Sequence, residues 1–250
     1  MVRFEFLFRC LQSAVNLSWS VAMPDGASPL TLFYVPRTRA FRPRWLMEEI
    51  GLHYRLERMK RADLAAPFYR AIDPLGRVPV LRDGAVTVIE SSAICLWLAE
   101  RYGGAALSPP ADGQQRADLM RWLFFAQTTL EPPVEIVIRH RHPRQFATEP
   151  AGGPPPPTPR EADAAVARFG VLVEPLLRAL DNRPFLLGQR FSVADVVVGD
   201  LLVWARAVSL LDGEPVLGDY LERLTARPAY RRARAEPEGT ETIGKTGGSR

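Results

Sequence analysis

Cysteine and histidine are scarce: the chain of 250 residues holds two cysteines, Cys10 and Cys95, and three histidines. Two thiols give no disulfide framework, and the natural expectation is a reducing compartment. His140 and His142 stand beside Pro143 on a stretch that reads as surface, so no metal site is expected. No apolar run reaches the length of a membrane-spanning helix. An excess of one charge is missing too, since 32 Lys and Arg against 28 Asp and Glu leave +4. The positive residues are scattered, so charge alone does not imply nucleic acid. Only Arg37, Arg39, Arg42 and Arg44 cluster, which reads first as a solvated helix face and second as attraction for an anionic ligand.

What remains is ordinary globular material, 47% hydrophobic and 24% charged, enough for one large or two small domains. Residues 1–28 read as an extension outside the folded part. They are moderately apolar, but charged and polar residues interrupt any signal-peptide core. Residues 237–250, rich in Gly, Thr and Glu, read as a disordered tail.

The most informative stretch is 77–92. Two β-rich runs, 78–81 and 85–89, flank Asp83-Gly84, a dipeptide suited to a tight hairpin turn. Glu90-Ser91-Ser92 then opens a helix over 93–102 with Gly103 at its end. Pro79 has no N–H for a ladder, so it belongs to an edge or to a specialised bond. A cis Val78–Pro79 bond would turn the Val78 N–H and C=O outward to pair with an extended peptide. Ser91, at the positive end of the helix, could hold a carboxylate, and Glu90 beside it an ammonium. A peptide with a free α-carboxylate and a free α-amine fits, as at the γ-glutamyl end of glutathione.

Before this stretch lie a buried strand at 30–34, a turn at Val35-Pro36, a helix with Pro43 in its first turn ending at Gly51, a strand at 53–58 and a loose helical segment broken at Asp73-Pro74. The order β-α-β-α-β-β-α is that of a thioredoxin-like domain. After a Gly, Pro and Ala-rich linker at 103–114, strand signals cease. Helices are expected over 116–130, interrupted or kinked by Pro132-Pro133, over 160–180, 193–206, 216–226 and 228–235. The Pro-rich loop near 149–160 reads as extended. Ser192 and Asp195 form a capping box for the apolar helix 193–206, which should be the buried axis of the second half.

Val-Pro, a hairpin and Glu-Ser opening a helix resemble the glutathione-binding half of the cytosolic glutathione S-transferase superfamily. The stretch from Leu32 to Leu52 resembles its first strand, active-site turn and first helix, and Phe191-Ser192-Val193-Ala194-Asp195 the capping box of its helical domain. The resemblance implies an α/β plus all-α architecture, with a thioredoxin-like domain at 29–104 followed by a helical-bundle domain at 112–236. It further implies a cytoplasmic homodimer acting on small molecules, with no nucleic acid or membrane partner.

Glutathione would then be a cosubstrate, held by Arg77, Val78, Pro79, Glu90 and Ser91. Its thiol reacts as the thiolate, which a hydroxyl at the first turn of the first helix would favour. Thr38 in Pro36-Arg37-Thr38 takes that catalytic position by likeness to the Pro-x-Ser turn of serine-type members, although threonine replaces serine and a plain helix cap is the competing role. Arg39 falls where some bacterial members carry a cysteine, so a protein thiol is not expected to react. A hydrophobic electrophile would sit between the domains against residues such as Trp122, Phe124 and Phe125. The alternatives are glutathione-dependent reduction of disulfides or peroxides, and a non-catalytic interaction module of the same fold.

Overall fold

The computed structural model describes residues 30–109, 113–143 and 155–235. Cys10, the expected extension at 1–28 and the tail at 237–250 lie outside the described residues, as does part of the Pro-rich loop.

The first half is a four-stranded sheet in the order β2-β1-β3-β4. Strand β1 (Leu30–Tyr34) runs parallel to β2 (Arg55–Arg58) and antiparallel to β3 (Val80–Asp83), which forms a hairpin with β4 (Val86–Ile89). Helix α1 (Phe41–Ile50) links β1 to β2, the short α2 (Pro67–Arg70) precedes β3, and α3 (Ser91–Leu98) follows β4. The crossover β1-α1-β2 explains the parallel pair, because parallel neighbours need a long connection. Gly51, at φ 79°, ends α1 in the left-handed conformation that glycine takes without penalty.

The first strand of the hairpin sits two residues later than expected, and the turn one residue later. Pro79 cannot donate to the ladder and β3 begins after it, so Asp83 is the last strand residue, paired with Val86, and Gly84-Ala85 make the turn. The Asp83 carboxylate is buried, accepting from Trp97 Nε1 at 2.8 Å and from the Tyr102 hydroxyl at 2.7 Å. Helix α3 is likewise shorter than expected, passing through a wide π-type turn, Ala99–Gly103, into the short α4 (Gly104–Leu107) inside the expected linker.

The second half is helical. Helix α5 (Gln114–Phe124) widens into a π-type stretch, Phe125–Leu130, and leads directly into α6 (Glu131–Arg141). The α-pattern is interrupted just ahead of Pro132 and Pro133, as expected, but the helical run does not end there: the π-type stretch carries it through and α6 resumes with both prolines in its first turn. The expected single helix at 160–180 is two, α7 (Pro159–Leu172) and α8 (Glu174–Leu180), divided just before Pro175, whose ring cannot continue the first. Helix α9 (Val193–Ala207), α10 (Pro215–Thr225) and α11 (Pro228–Arg234) complete the bundle.

Helix α9 is its axis, with Val193 to Leu202 wholly buried. The capping box forms as expected: Asp195 accepts from the Ser192 N–H at 2.8 Å and the Ser192 hydroxyl at 2.9 Å. It also accepts from the Leu186 N–H at 2.9 Å and the Tyr220 hydroxyl at 2.7 Å. Burial pushes the Asp195 carboxyl above its ordinary range in spite of these donors. The core runs unbroken from the sheet into the bundle. Trp45 of α1, with no exposed surface, packs against Phe191 and Tyr230 at ring-centroid distances of 6.0 and 5.0 Å.

Candidate functional site

A cavity of about 470 Å³ opens where the start of α3 faces α6. One wall holds Val78, Pro79, Glu90 and Ser91, with Asp73 and Arg77 beside them; the other holds Gln127, Glu131, Pro132, Glu135, Ile136 and Arg139. Arg39 comes from the turn between β1 and α1. The Val78–Pro79 bond is cis, as the sequence suggested. Glu90 takes φ 71°, a left-handed conformation that costs a non-glycine residue energy and is commonest at functional sites. It directs the chain from β4 into α3, whose first backbone hydrogen bond is donated by the Ile94 N–H to the Glu90 carbonyl at 2.9 Å.

Arg77 is fixed by its backbone as well as by its side chain. Its N–H donates to the buried Asp73 carboxylate, and its carbonyl accepts from the Tyr69 hydroxyl at 2.7 Å. Its guanidinium donates to Glu90 Oε1 at 2.9 Å with both side chains more than half exposed, a pair worth little in stability.

Behind Ser91 lies a buried charge network that the sequence reading missed. Arg42 of α1 has no exposed surface. It donates from Nε to Asp200 Oδ2 at 2.9 Å, from Nη2 to Glu131 Oε2 at 2.9 Å and from Nη1 to Ser91 Oγ at 3.4 Å. Burial works against its charge, but Glu131 and Asp200 outweigh it and hold the guanidinium pKa above its ordinary value. Burial likewise pushes the Asp200 carboxyl up, with Arg42 opposing. Gln127 donates to Ser91 Oγ at 3.4 Å and to Ser92 Oγ. The arginine cluster is therefore no solvated face: Arg42 and Arg44 are buried, Arg39 is half-buried, and only Arg37 of the four is exposed. The available signal was Asp200, the one acidic residue beyond the first turn of an otherwise apolar helix, which needs a buried cation.

Of the six expected site residues, Arg77, Val78, Pro79, Glu90 and Ser91 share the cavity wall, and Thr38 does not line it. The Thr38 hydroxyl turns back into its own loop, donating to the Val35 carbonyl at 2.7 Å and accepting from the Ala40 N–H at 3.3 Å. The expected apolar acceptor wall is also displaced. Trp122 is buried with Phe125 against its edge at 5.7 Å, Phe124 is 61% exposed, and none of the three lines the cavity. The periodicity of α5 could not distinguish a core face from a cleft face. Cys95 is a buried free cysteine outside the cavity lining, and burial pushes its thiol pKa up, disfavouring the thiolate. No cluster of metal ligands occurs among the described residues.

Residues 28–100 match the family model of the glutathione S-transferase N-terminal domain, and residues 141–228 that of the C-terminal domain. The chain is 27% identical over 205 residues to glutathione S-transferase GstA of Escherichia coli O157:H7, covering 80% of this chain and 94% of that one. It is 26% identical over 214 residues to the disulfide-bond oxidoreductase YfcG of Escherichia coli K12, covering 80% and 92%. A solved structure of the theta class glutathione S-transferase from the citrus canker pathogen Xanthomonas axonopodis pv. citri, with glutathione bound, has a TM-score of 0.67 at 26% identity, covering 84% of this chain and 98% of that one.

Proposed function

The chain belongs to the cytosolic glutathione S-transferase superfamily, and from that premise we propose that it is a glutathione transferase, joining the glutathione thiolate to an electrophile. The observation that carries this reading is one cavity lined by Val78, the cis Pro79, Glu90 and Ser91 at the start of α3. Glutathione lies along it with its peptide against Val78. Its γ-glutamyl carboxylate meets the Ser91 hydroxyl and the free N–H groups of the first turn of α3, where the helix dipole favours an anion. Arg42 supports the same end, because its buried positive charge sits directly behind Ser91. Glu90 takes the α-ammonium, and Arg77 steadies Glu90.

The electrophile occupies the space toward α6. That wall carries Gln127, Glu131, Glu135 and Arg139 beside Pro132 and Ile136, which supports a small polar acceptor over the hydrophobic one expected from α5. We place the enzyme in the cytoplasm as a homodimer, in keeping with its family. A second reading, glutathione-dependent reduction of a disulfide, is favoured by the polar wall and by the likeness to YfcG. It would proceed through a glutathione thiolate, since Cys95, the cysteine among the described residues, is buried outside the cavity lining.

Assays with glutathione against a panel of polar and apolar electrophiles, and in parallel against a small mixed disulfide, separate the two. Thioether formation supports the transferase and release of oxidised glutathione supports the reductase. Neither product with any acceptor would contradict both and leave a binding module of the same fold.

A further inference from the structure

On the reading that this cavity binds glutathione, we infer that Arg39, not Thr38, is the catalytic residue that holds the glutathione thiolate. A hydroxyl has one proton to donate, and that of Thr38 goes to the Val35 carbonyl at 2.7 Å, out of the cavity. The next residue reverses the direction. Arg39 stands at the same turn, just ahead of α1, and lines the cavity together with Val78, Pro79 and Ser91. The other hydroxyls nearby, Ser91 and Ser92, accept from Gln127 at the far end of the peptide site.

Arg39 is also built to hold still. Its Nε donates to Glu131, and its Nη2 to Glu135 Oε2 at 2.9 Å. Its guanidinium carbon lies 5.6 Å from the centre of the Trp204 ring. Glu131 is 4% exposed and takes Arg39 with one carboxylate oxygen and Arg42 with the other, so the guanidinium is oriented from behind by the buried network. Those two bonds use two of five N–H groups, and the side chain is 39% exposed. An immobile donor aimed at developing charge is the arrangement that stabilises an anion most effectively.

Besides Arg39, the charged groups around the cavity are Asp73, Arg77, Glu90, Glu131, Glu135 and Arg139. Arg77 and Glu90 pair with each other, Asp73 holds the Arg77 N–H, and Arg139 donates to the Pro155 carbonyl at 3.0 Å. Glu131 is shared between two arginines, which leaves Glu135, with its side chain 42% exposed, as the exchangeable partner of Arg39. When glutathione binds, its S–H bond breaks, the proton leaves to solvent water and the electron pair stays on sulfur. The thiolate then takes the Nη2 donor from Glu135, one anion replacing another.

The test is the pH titration of the thiolate ultraviolet absorbance of bound glutathione, with binding followed separately by calorimetry. Free thiols titrate near pH 8.5. In the wild type the bound thiol should titrate at least about one unit lower, a cation beside a thiolate having that effect. Arg39→Gln should return it to the free value and lower kcat/KM for conjugation about 100-fold, the loss typical of one such donor. Arg39→Lys should recover part of the shift, Thr38→Val should leave it in place, and Glu135→Gln should lower the thiol pKa further by removing the competing anion. A structural role alone would not produce that opposite movement. A normal titration in Arg39→Gln, or loss of the shift in Thr38→Val, would overturn the inference. Glutathione bound by the wild type with an unshifted thiol would overturn it alone, whereas no binding at all would overturn the functional reading beneath it.

Discussion

Arg42 is the residue on which the two halves meet. One guanidinium joins α1 to Glu131 of α6, to Asp200 of α9 and to Ser91 of α3, all without exposed surface of its own. Removing one member of such a buried set leaves charges without partners, which costs about 3–5 kcal/mol. Arg42→Met should therefore lower the unfolding free energy by that amount, read as a lower denaturant midpoint, and weaken glutathione binding at Ser91. Adding Asp200→Leu should recover part of the stability, because it removes one stranded charge, and an equal or larger loss in the double variant would contradict this account. That Arg77, Val78, Pro79, Glu90 and Ser91 come together was legible in the sequence because they lie within 15 residues of one another, on a hairpin and a helix start with strong local rules. Arg42, Glu131 and Asp200 were not, because their partners lie 89 and 158 positions away and only the folded chain brings them together. The direction of the Thr38 hydroxyl was hidden for a different reason: motif position gave the residue, but its orientation depends on the Val35 carbonyl.

Among the elements, α9 was the most legible, since a run of apolar residues behind Ser192-x-x-Asp195 both starts a helix and requires its burial. Proline was read unevenly. Pro132 and Pro133 do accompany an interruption, the π-type stretch after which the α-helix resumes at Glu131, whereas Pro175 divides one helix where continuity was expected. The packing of α9 depends on Gly199, where a Cβ atom would lie 2.5 Å from Leu224 and 3.5 Å from Trp45. Gly199→Val should push α9 away from α1 and α10 and cost about 1–3 kcal/mol, the usual price of overpacking. Equilibrium urea unfolding would read this as a lower midpoint; an unchanged midpoint would mean that Leu224 and Trp45 give way freely.

At the scale of the whole molecule, the end of the bundle returns to the first half. Arg227 binds Glu49 through two bonds of 2.6 and 2.8 Å, and Arg232 reaches Glu48 at 2.9 Å, so α11 is tied along α1. The proposed homodimer needs an apolar surface, and the first half offers Phe68 and Leu75, which are 54% and 61% exposed. Leu75→Asp combined with Phe68→Asp should halve the mass measured by light scattering after gel filtration, with the circular dichroism of the fold retained. A wild-type monomer would contradict the dimer outright.

Every functional role proposed for these residues requires glutathione in the cavity between α3 and α6, and calorimetric titration of the wild type beside Ser91→Ala examines that occupancy without reference to any acceptor. Saturable binding is expected for the wild type, with affinity at least about 10-fold lower in the variant, the loss of one charge-assisted hydrogen bond. Equal affinity in the two proteins, or no heat of binding in the wild type, would contradict it.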